Sequence, residues 1–269
     1  MAILYAEFFR ISDFLQNRNL PVFKIIDYFV LFQSEDCLNL NIYIPLKSLE
    51  SDEKLPVLVF IHGGAFFVGS NHDGPLDGDP DSNEDDPSYF VQSQNIIVVK
   101  INYRVGPLGF WYFEDDIETK NNGNWALQDQ ELALKWIDEH IEAFGGDKTK
   151  RTLSGCSAGA QSAMVHLTEN KIESLFEQTI ICAAPIGIPY FNMDQAIDFG
   201  ENLMVSVGCE TVECLREMDL RELIDSTWKH IIGGIADRKF IAGPWGESLR
   251  YRKVTQLGFF SNIHKISLL

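Results

Sequence analysis

The residue best suited to covalent chemistry is a serine between two glycines, Ser157 in the segment GCSAG at residues 155–159. A serine hydroxyl is a poor nucleophile until a base removes its proton and the backbone holds its oxygen within reach. A sharp turn from a strand into a helix gives that support, and its crowding requires small residues around the serine. We predict the strand over residues 151–154 and the helix over residues 160–167. The pattern therefore predicts that Ser157 is a nucleophile presented on such a turn.

A glycine-rich segment, HGGAF at residues 62–66, follows a strand predicted over residues 56–61. Glycines after a buried strand let backbone N–H groups point at negative charge that develops on a substrate oxygen. We predict that the amides of Gly64 and Ala65, with that of Ala158 after the serine, form such an oxyanion hole. An ordinary glycine turn is the alternative. The order and separation of the two motifs along the chain favour the oxyanion hole.

Short apolar, β-branched runs alternate with helical stretches along the chain, which is typical of a parallel sheet with crossover helices. Strands are predicted over residues 38–44, 56–61, 96–102, 151–154 and 178–183. A helix is predicted over residues 127–144, where apolar residues recur at helical spacing, and the region 192–226 is also predicted to be helical. The sequence thus predicts an α/β fold with a mostly parallel central sheet, as a single domain over residues 1–269.

Longer segments carry a more specific signal. In chain order they are SEDCLNLNIY at 34–43, HGGAF at 62–66, NYRVGPLGF at 102–110, GNWALQDQELALKWI at 123–137, FGGD at 144–147 and GCSAGA at 155–160. Together they resemble the type-B carboxylesterase and cholinesterase family. The resemblance is clearest over residues 34–190 and continues more weakly through Cys209, Cys214 and residues 240–249.

This resemblance implies the α/β-hydrolase fold, with the chain matching the N-terminal half of the family domain and truncated at both ends. The implied reaction is hydrolysis of a small-molecule carboxylic ester through an acyl-enzyme on Ser157, with no metal or organic cofactor. The family is largely secreted or lumenal, although residues 1–20 lack the uninterrupted apolar stretch of a signal peptide. Neither the compartment nor the oligomeric state follows from the residues themselves.

The base and the orienting acid of a serine hydrolase are not found by this resemblance. In the family the acid is a Glu within Asp-Glu-Gly, and the catalytic His follows much later. This chain has no Asp-Glu-Gly segment, and residues 258–269 resemble the approach to the strand that precedes it. We therefore expect little hydrolysis by this chain alone. Other departures from the family pattern are Cys156 for an acidic residue, Ala65 for a frequent glycine, Arg151 for an apolar residue, and Cys37 without an upstream partner.

A compact hydrolase with a self-contained triad of Ser157, Asp237 and His264 is one alternative, since such enzymes place their His near the C terminus. The apolar tail over residues 263–269 argues against it, because a catalytic His needs a loop after a strand. The remaining histidines that we considered are expected to be structural: His62, His166 and His230.

A non-catalytic interaction protein is the other alternative, because adhesion molecules that resemble cholinesterases use this fold as a binding surface. Many of those molecules lack the serine. The presence of Ser157 therefore favours the enzyme.

The charge balance excludes some classes of partner. The chain has 22 Lys and Arg against 39 Asp and Glu, a net charge of -17. Such a surface repels phosphate backbones, so we expect no nucleic-acid partner. No run approaches the roughly 18 apolar residues of a membrane span.

The five cysteines match no zinc-binding pattern. Cys209 and Cys214 have the spacing of a small disulfide-closed loop, which leaves Cys37, Cys156 and Cys182 as free thiols.

An acidic segment over residues 71–88 contains alternating Asp77, Asp79 and Asp81, as a calcium loop does. However, Ser82 and Ser88 stand where that loop requires Gly and Glu. We expect a solvated acidic loop and no metal site.

Overall fold

The central sheet has six strands in the part of the chain that the computed structural model describes, namely residues 35–45, 48, 52–71, 86–113, 123–168, 174–186, 190–227 and 265–268. In chain order they are β1 (Leu40–Tyr43), β2 (Leu55–Ile61), β3 (Ile97–Ile101), β4 (Gly146–Cys156), β5 (Gln178–Cys182) and β6 (Lys265–Leu268). Their order across the sheet is β1-β3-β2-β4-β5-β6. β1 is antiparallel to β3, and the other neighbouring pairs are parallel. The prediction of a mostly parallel sheet is confirmed.

β4 is the strand that differs most from its predicted bounds, because it begins five residues earlier than expected. Leu55 of β2 lies opposite Gly146, and the next register pair joins Val57 to Arg151. The chain therefore bulges between these two pairs, and residues 148–150 are exposed and polar. An apolar pattern cannot identify such residues as strand.

The helices are α1 (Ser88–Gln94), α2 (Pro107–Phe110), α3 (Trp125–His140), α4 (Ala158–Thr168), α5 (Met193–Val207) and α6 (Val212–Glu217), and residues 220–227 are also helical. The predicted helix over 127–144 corresponds to α3 and a 3-10 turn, Ile141–Phe144, which ends at Gly145 with φ 84°. The predicted helical region 192–226 is divided, because Gly208 adopts a left-handed conformation with φ 72° and ends α5.

The main core lies on the face of the sheet that α3 and α4 cover. In β2 the alternate residues Val57, Val59 and Ile61 are buried in this core, whereas Leu58 and Phe60 on the opposite face are half-buried. Ala160 and Ala163 of α4 belong to the same apolar cluster. The sheet therefore has one well-covered face and one more open face among the described residues.

A second apolar cluster forms beside the main core around Trp111 and Leu203. Cys209 and Cys214 are joined there by a disulfide, as predicted, which ties the end of α5 to α6. Cys37, Cys156 and Cys182 carry free thiols, also as predicted.

The described ranges contain neither a membrane-spanning helix nor a cluster of metal ligands. None of the helices found there is both long enough and apolar enough to cross a membrane. Those same ranges contain no group of three or more His, Cys, Asp or Glu residues with the geometry of a metal site. Most of the acidic segment 71–88, including Asp77, Asp79 and Asp81, lies outside the described residues.

Arg151, the charged residue in place of an apolar one, is buried in β4 with its charge compensated. Its guanidinium donates hydrogen bonds to the Asp138 carboxylate, to Glu177 Oε1 at 3.1 Å and to the Ser174 carbonyl at 2.6 Å. Glu177 also accepts the backbone N–H of Arg151 at 2.6 Å. The strand tolerates the buried cation because these groups replace its hydration.

We expect Arg151→Met to lower the free energy of unfolding by about 2–3 kcal/mol, because it leaves two partly buried carboxylates without their cation. As a control, Lys148→Met removes an exposed ammonium 3.7 Å from Glu142. That change should alter stability by no more than about 0.5 kcal/mol. Urea denaturation measures both variants, and an equal loss in the two would contradict the role of the buried guanidinium.

Candidate active site

Ser157 lies on a tight turn between β4 and α4, with a left-handed backbone of φ 54°. A Cβ on Gly155 would lie 2.2 Å from the carbonyl oxygen of Gly159, and one on Gly159 would lie 2.1 Å from that of Ile61. Both distances are far shorter than any contact that a real side chain makes. The two glycines of the motif are therefore required by backbone packing, and the strand–turn–helix geometry expected of a nucleophile elbow is present.

Backbone hydrogen bonds fix the serine in this turn. The Ser157 N–H donates to the carbonyl oxygen of Cys182 in β5 at 3.0 Å. The Ser157 carbonyl accepts from the N–H of Gln161 at 3.1 Å, which closes the first turn of α4. Ser157 is thus held between the end of one strand and the start of a helix.

The glycine-rich loop that follows β2 is itself a tight turn. Gly64, Ala65 and Phe66 all have positive φ, at 107°, 53° and 65°. The Gly64 carbonyl accepts the N–H groups of Phe67 and Val68, both at 3.0 Å, and a Cβ on Gly64 would lie 2.1 Å from the Val68 oxygen. Only glycine fits this position without a backbone shift.

The loop and the elbow lie side by side. A Cβ on Gly63 would lie 2.9 Å from the Cys156 carbonyl oxygen and 3.3 Å from the Ser157 Cβ. Among the described residues, the N–H groups of Gly64, Ala65 and Ala158 donate no hydrogen bond to another part of the protein. The structure brings the predicted nucleophile beside the predicted oxyanion loop and leaves these amides available. Their catalytic roles stay predictions.

His62 supports the loop from within the core, as expected. Its ring stacks on Tyr103 with centroids 4.2 Å apart, and its Nδ1 donates to the Gly63 carbonyl at 2.8 Å. The Tyr103 hydroxyl donates to the His62 carbonyl at 2.8 Å. Burial lowers the pKa of His62 to about 4, so its imidazole is neutral at physiological pH.

Sequence reasoning did not identify Tyr103 or the ion pair that holds its neighbour. Arg104 forms a bidentate pair with Asp129 of α3, at 2.8 Å and 2.7 Å, and its backbone N–H also donates to Asp129 at 3.0 Å. The pair fixes the segment after β3 against α3. In the sequence, the only indication of this pair is that Arg104 and Asp129 lie in the segments 102–110 and 123–137, which carry the family resemblance.

The other histidines in the described ranges are not placed to serve as a base for Ser157. His166 is buried in α4, where Nε2 donates to the Gln130 Oε1 at 2.8 Å. His140 lies at the exposed end of α3 and contacts the Trp136 carbonyl and ring. The remaining candidates are outside the described residues: His230, Asp237 and His264.

We expect Gly155→Ala to lower the free energy of unfolding by about 3 kcal/mol or more, because the new methyl group would overlap a backbone carbonyl. Gly145→Ala is the matched control, since a Cβ there meets nothing within 4 Å and suffers only from the positive φ of 84°. The control should cost about 1 kcal/mol. Equal losses in thermal or urea denaturation would contradict the crowding at the elbow.

His166 predicts a pH dependence of stability. Burial lowers its pKa to about 4, while an unfolded His titrates near 6.5. Only the unfolded chain then gains a proton there as the pH falls from about 6.5 toward 4, so stability is lost over that window. Between pH 7 and 4.5, His166→Gln should lose about 2 kcal/mol less stability than the unmodified chain, because glutamine stays neutral. Urea denaturation at both pH values measures this, and parallel losses would contradict it.

The chain is similar to known carboxylesterases and cholinesterases. A sequence model described as the carboxylesterase family matches residues 10–259. The chain is 33% identical over 219 residues to Cholinesterase 1 of Branchiostoma lanceolatum, covering 78% of this chain and 57% of that protein. It is 36% identical over 203 residues to the acetylcholinesterase of Bungarus fasciatus, covering 72% of this chain and 31% of that protein.

A solved structure described as a thermophilic PNB esterase is similar in fold. The TM-score is 0.66 at 30% sequence identity, over 79% of this chain and 42% of the esterase chain. The chain therefore spans between about a third and just over half of the length of these relatives.

Proposed function

This chain belongs to the carboxylesterase family and has the α/β-hydrolase fold, and from that premise we propose that Ser157 attacks the carbonyl carbon of a small carboxylic ester. The observation that carries the proposal is the contact between two backbone segments. The position of a Cβ on Gly63 is only 3.3 Å from the Ser157 Cβ, so the loop that bears Gly64 and Ala65 runs directly beside the serine.

The proposed reaction proceeds in two steps on the serine. The Ser157 oxygen bonds to the ester carbon, and the carbonyl oxygen becomes negatively charged next to the amides of Gly64, Ala65 and Ala158. Ala158 suits this role because it is the first residue of α4, where a backbone N–H has no carbonyl in a preceding turn. The tetrahedral intermediate then expels the alcohol, and water releases the acid from the acyl-serine.

The proton of the serine hydroxyl requires a base, and the described histidines do not offer one. The His62 ring is buried and bound to Gly63, and the His166 ring is bound to Gln130. Burial also holds the pKa of both rings at about 4, too low for an effective base near pH 7. Since none of the described histidines supplies the base, we expect an added base to raise the rate of acylation.

An added base makes the proposal testable. The full chain is incubated with phenyl butyrate with and without imidazole, and acylation of the peptide that contains Ser157 is followed by mass spectrometry. Imidazole should raise Ser157-dependent acylation by about tenfold or more, a fraction of the 10²–10⁴ that a positioned base provides. Ser157→Ala is the control for hydrolysis by imidazole itself.

The outcomes separate the alternatives. Equal rates of phenyl butyrate hydrolysis by the unmodified chain and by Ser157→Ala at every imidazole concentration would contradict the proposed nucleophile. That result would favour a non-catalytic interaction protein. Serine-dependent turnover without imidazole, abolished by His264→Gln and Asp237→Asn, would favour the self-contained triad of Ser157, Asp237 and His264.

A further inference from the structure

Two free thiols end the neighbouring strands β4 and β5 beside Ser157. Cys156 and Cys182 are register partners in these parallel strands, so their side chains leave the same face of the sheet. Neighbouring strands lie about 4.8 Å apart, which falls within the roughly 4.4–6.8 Å Cα separation found across disulfides. The Cys182 side chain is also close enough to Cys156 to contribute to raising the pKa of the Cys156 thiol. The backbone thus holds the two cysteines at a Cα spacing that suits a covalent link.

This thiol pair, Cys156 and Cys182, is also more accessible to solvent than the third free thiol, Cys37. Both side chains are half-buried, on the more open face of the sheet that carries the half-buried Phe60. Cys37 is fully buried, and Cys209 is already bonded to Cys214. A reagent that enters from solvent therefore meets the thiol pair before the remaining thiol.

The thiol pair is connected to the elbow by a peptide bond and a hydrogen bond. Cys156 precedes Ser157 in the chain, and the Cys182 carbonyl accepts the Ser157 N–H at 3.0 Å. A bond between the two sulfur atoms would link the residue before the serine to the residue that anchors it. The backbone around Ser157 would thus be restrained differently in the disulfide form and in the dithiol form of the pair.

We propose that Cys156 and Cys182 are a reversible redox-modification site, oxidised to an intramolecular disulfide by a small-molecule disulfide of the glutathione class. The thiolate of Cys182 attacks one sulfur of oxidised glutathione and releases one glutathione thiolate, which leaves a mixed disulfide on Cys182. Cys156 then loses its proton and attacks the protein sulfur of that mixed disulfide, releasing the second glutathione. Two protein thiols are oxidised, and one glutathione disulfide is reduced to two glutathione thiols.

The order of attack follows from the surroundings of Cys156. Burial, followed by the side-chain interaction with Cys182, raises the pKa of the Cys156 thiol. Cys156 therefore keeps its proton, and Cys182 makes the first attack. The proposal concerns the thiols alone and is independent of whether Ser157 acts as a nucleophile.

The test exposes the folded full chain to oxidised glutathione, labels the remaining thiols with N-ethylmaleimide and digests the chain without reduction. Mass spectrometry should find a cross-linked peptide that joins Cys156 to Cys182, with labelling of both reduced about tenfold or more. Dithiothreitol should restore the labelling. Cys37→Ser is the matched control and should leave the cross-link unchanged.

Two single variants test the second step. The cross-link is absent in both Cys156→Ser and Cys182→Ser. In Cys156→Ser the remaining Cys182 should accumulate a mixed disulfide with glutathione, whereas in Cys182→Ser the half-buried Cys156 should accumulate much less. Mixed disulfides on both cysteines of the unmodified chain without a cross-link would overturn the proposal. A cross-link that forms only after unfolding in urea would also overturn the proposal, because the proposal depends on the register of β4 and β5 in the folded chain.

Discussion

The crossing of α4 over the ends of β2 and β4 is the constraint on which the rest of the site depends. Carbonyl oxygens occupy the space where Gly155 and Gly159 would carry side chains. This absence of side chains lets the first turn of the helix reach the end of β2. Because β2 leads straight into the glycine-rich loop, the same crossing fixes where that loop runs relative to Ser157. The site is therefore built first by backbone packing and only then by side chains.

Polar contacts support the glycine-rich loop. Asp129 holds Arg104, the adjacent Tyr103 holds the His62 carbonyl, and His62 in turn bonds to Gly63. Asp129 and Tyr103 each lie on a different segment from the residue that they support, whereas His62 supports its own neighbour in the loop. In a low-dielectric interior each of these hydrogen bonds is stronger than it would be in water. A loop with three successive positive φ angles can persist because the surrounding structure restrains it.

The sequence predicted the parts of the fold whose information is local. Apolar runs located the buried strands, and the spacing of Gly155 and Gly159 located the elbow, because both patterns reflect neighbours in the chain. Contacts between distant segments could not be predicted in this way. Arg151 stands where the family pattern has an apolar residue, yet Glu177 compensates its charge from 26 residues away. Similarly, Tyr103 and His62 are 41 positions apart in the sequence, so their contact leaves no helical or strand periodicity.

The neutral state of His62 has a consequence for how the pH–rate profile of any chemistry at Ser157 should be interpreted. A ring that stays uncharged down to about pH 4 does not alter the electric field at the neighbouring amides between neutral and mildly acidic conditions. If the proposed reaction occurs, the glycine-rich loop contributes a constant factor to its rate over that interval. An acidic limb with an apparent pKa between 5 and 7 would consequently report a proton acceptor elsewhere, and not this loop.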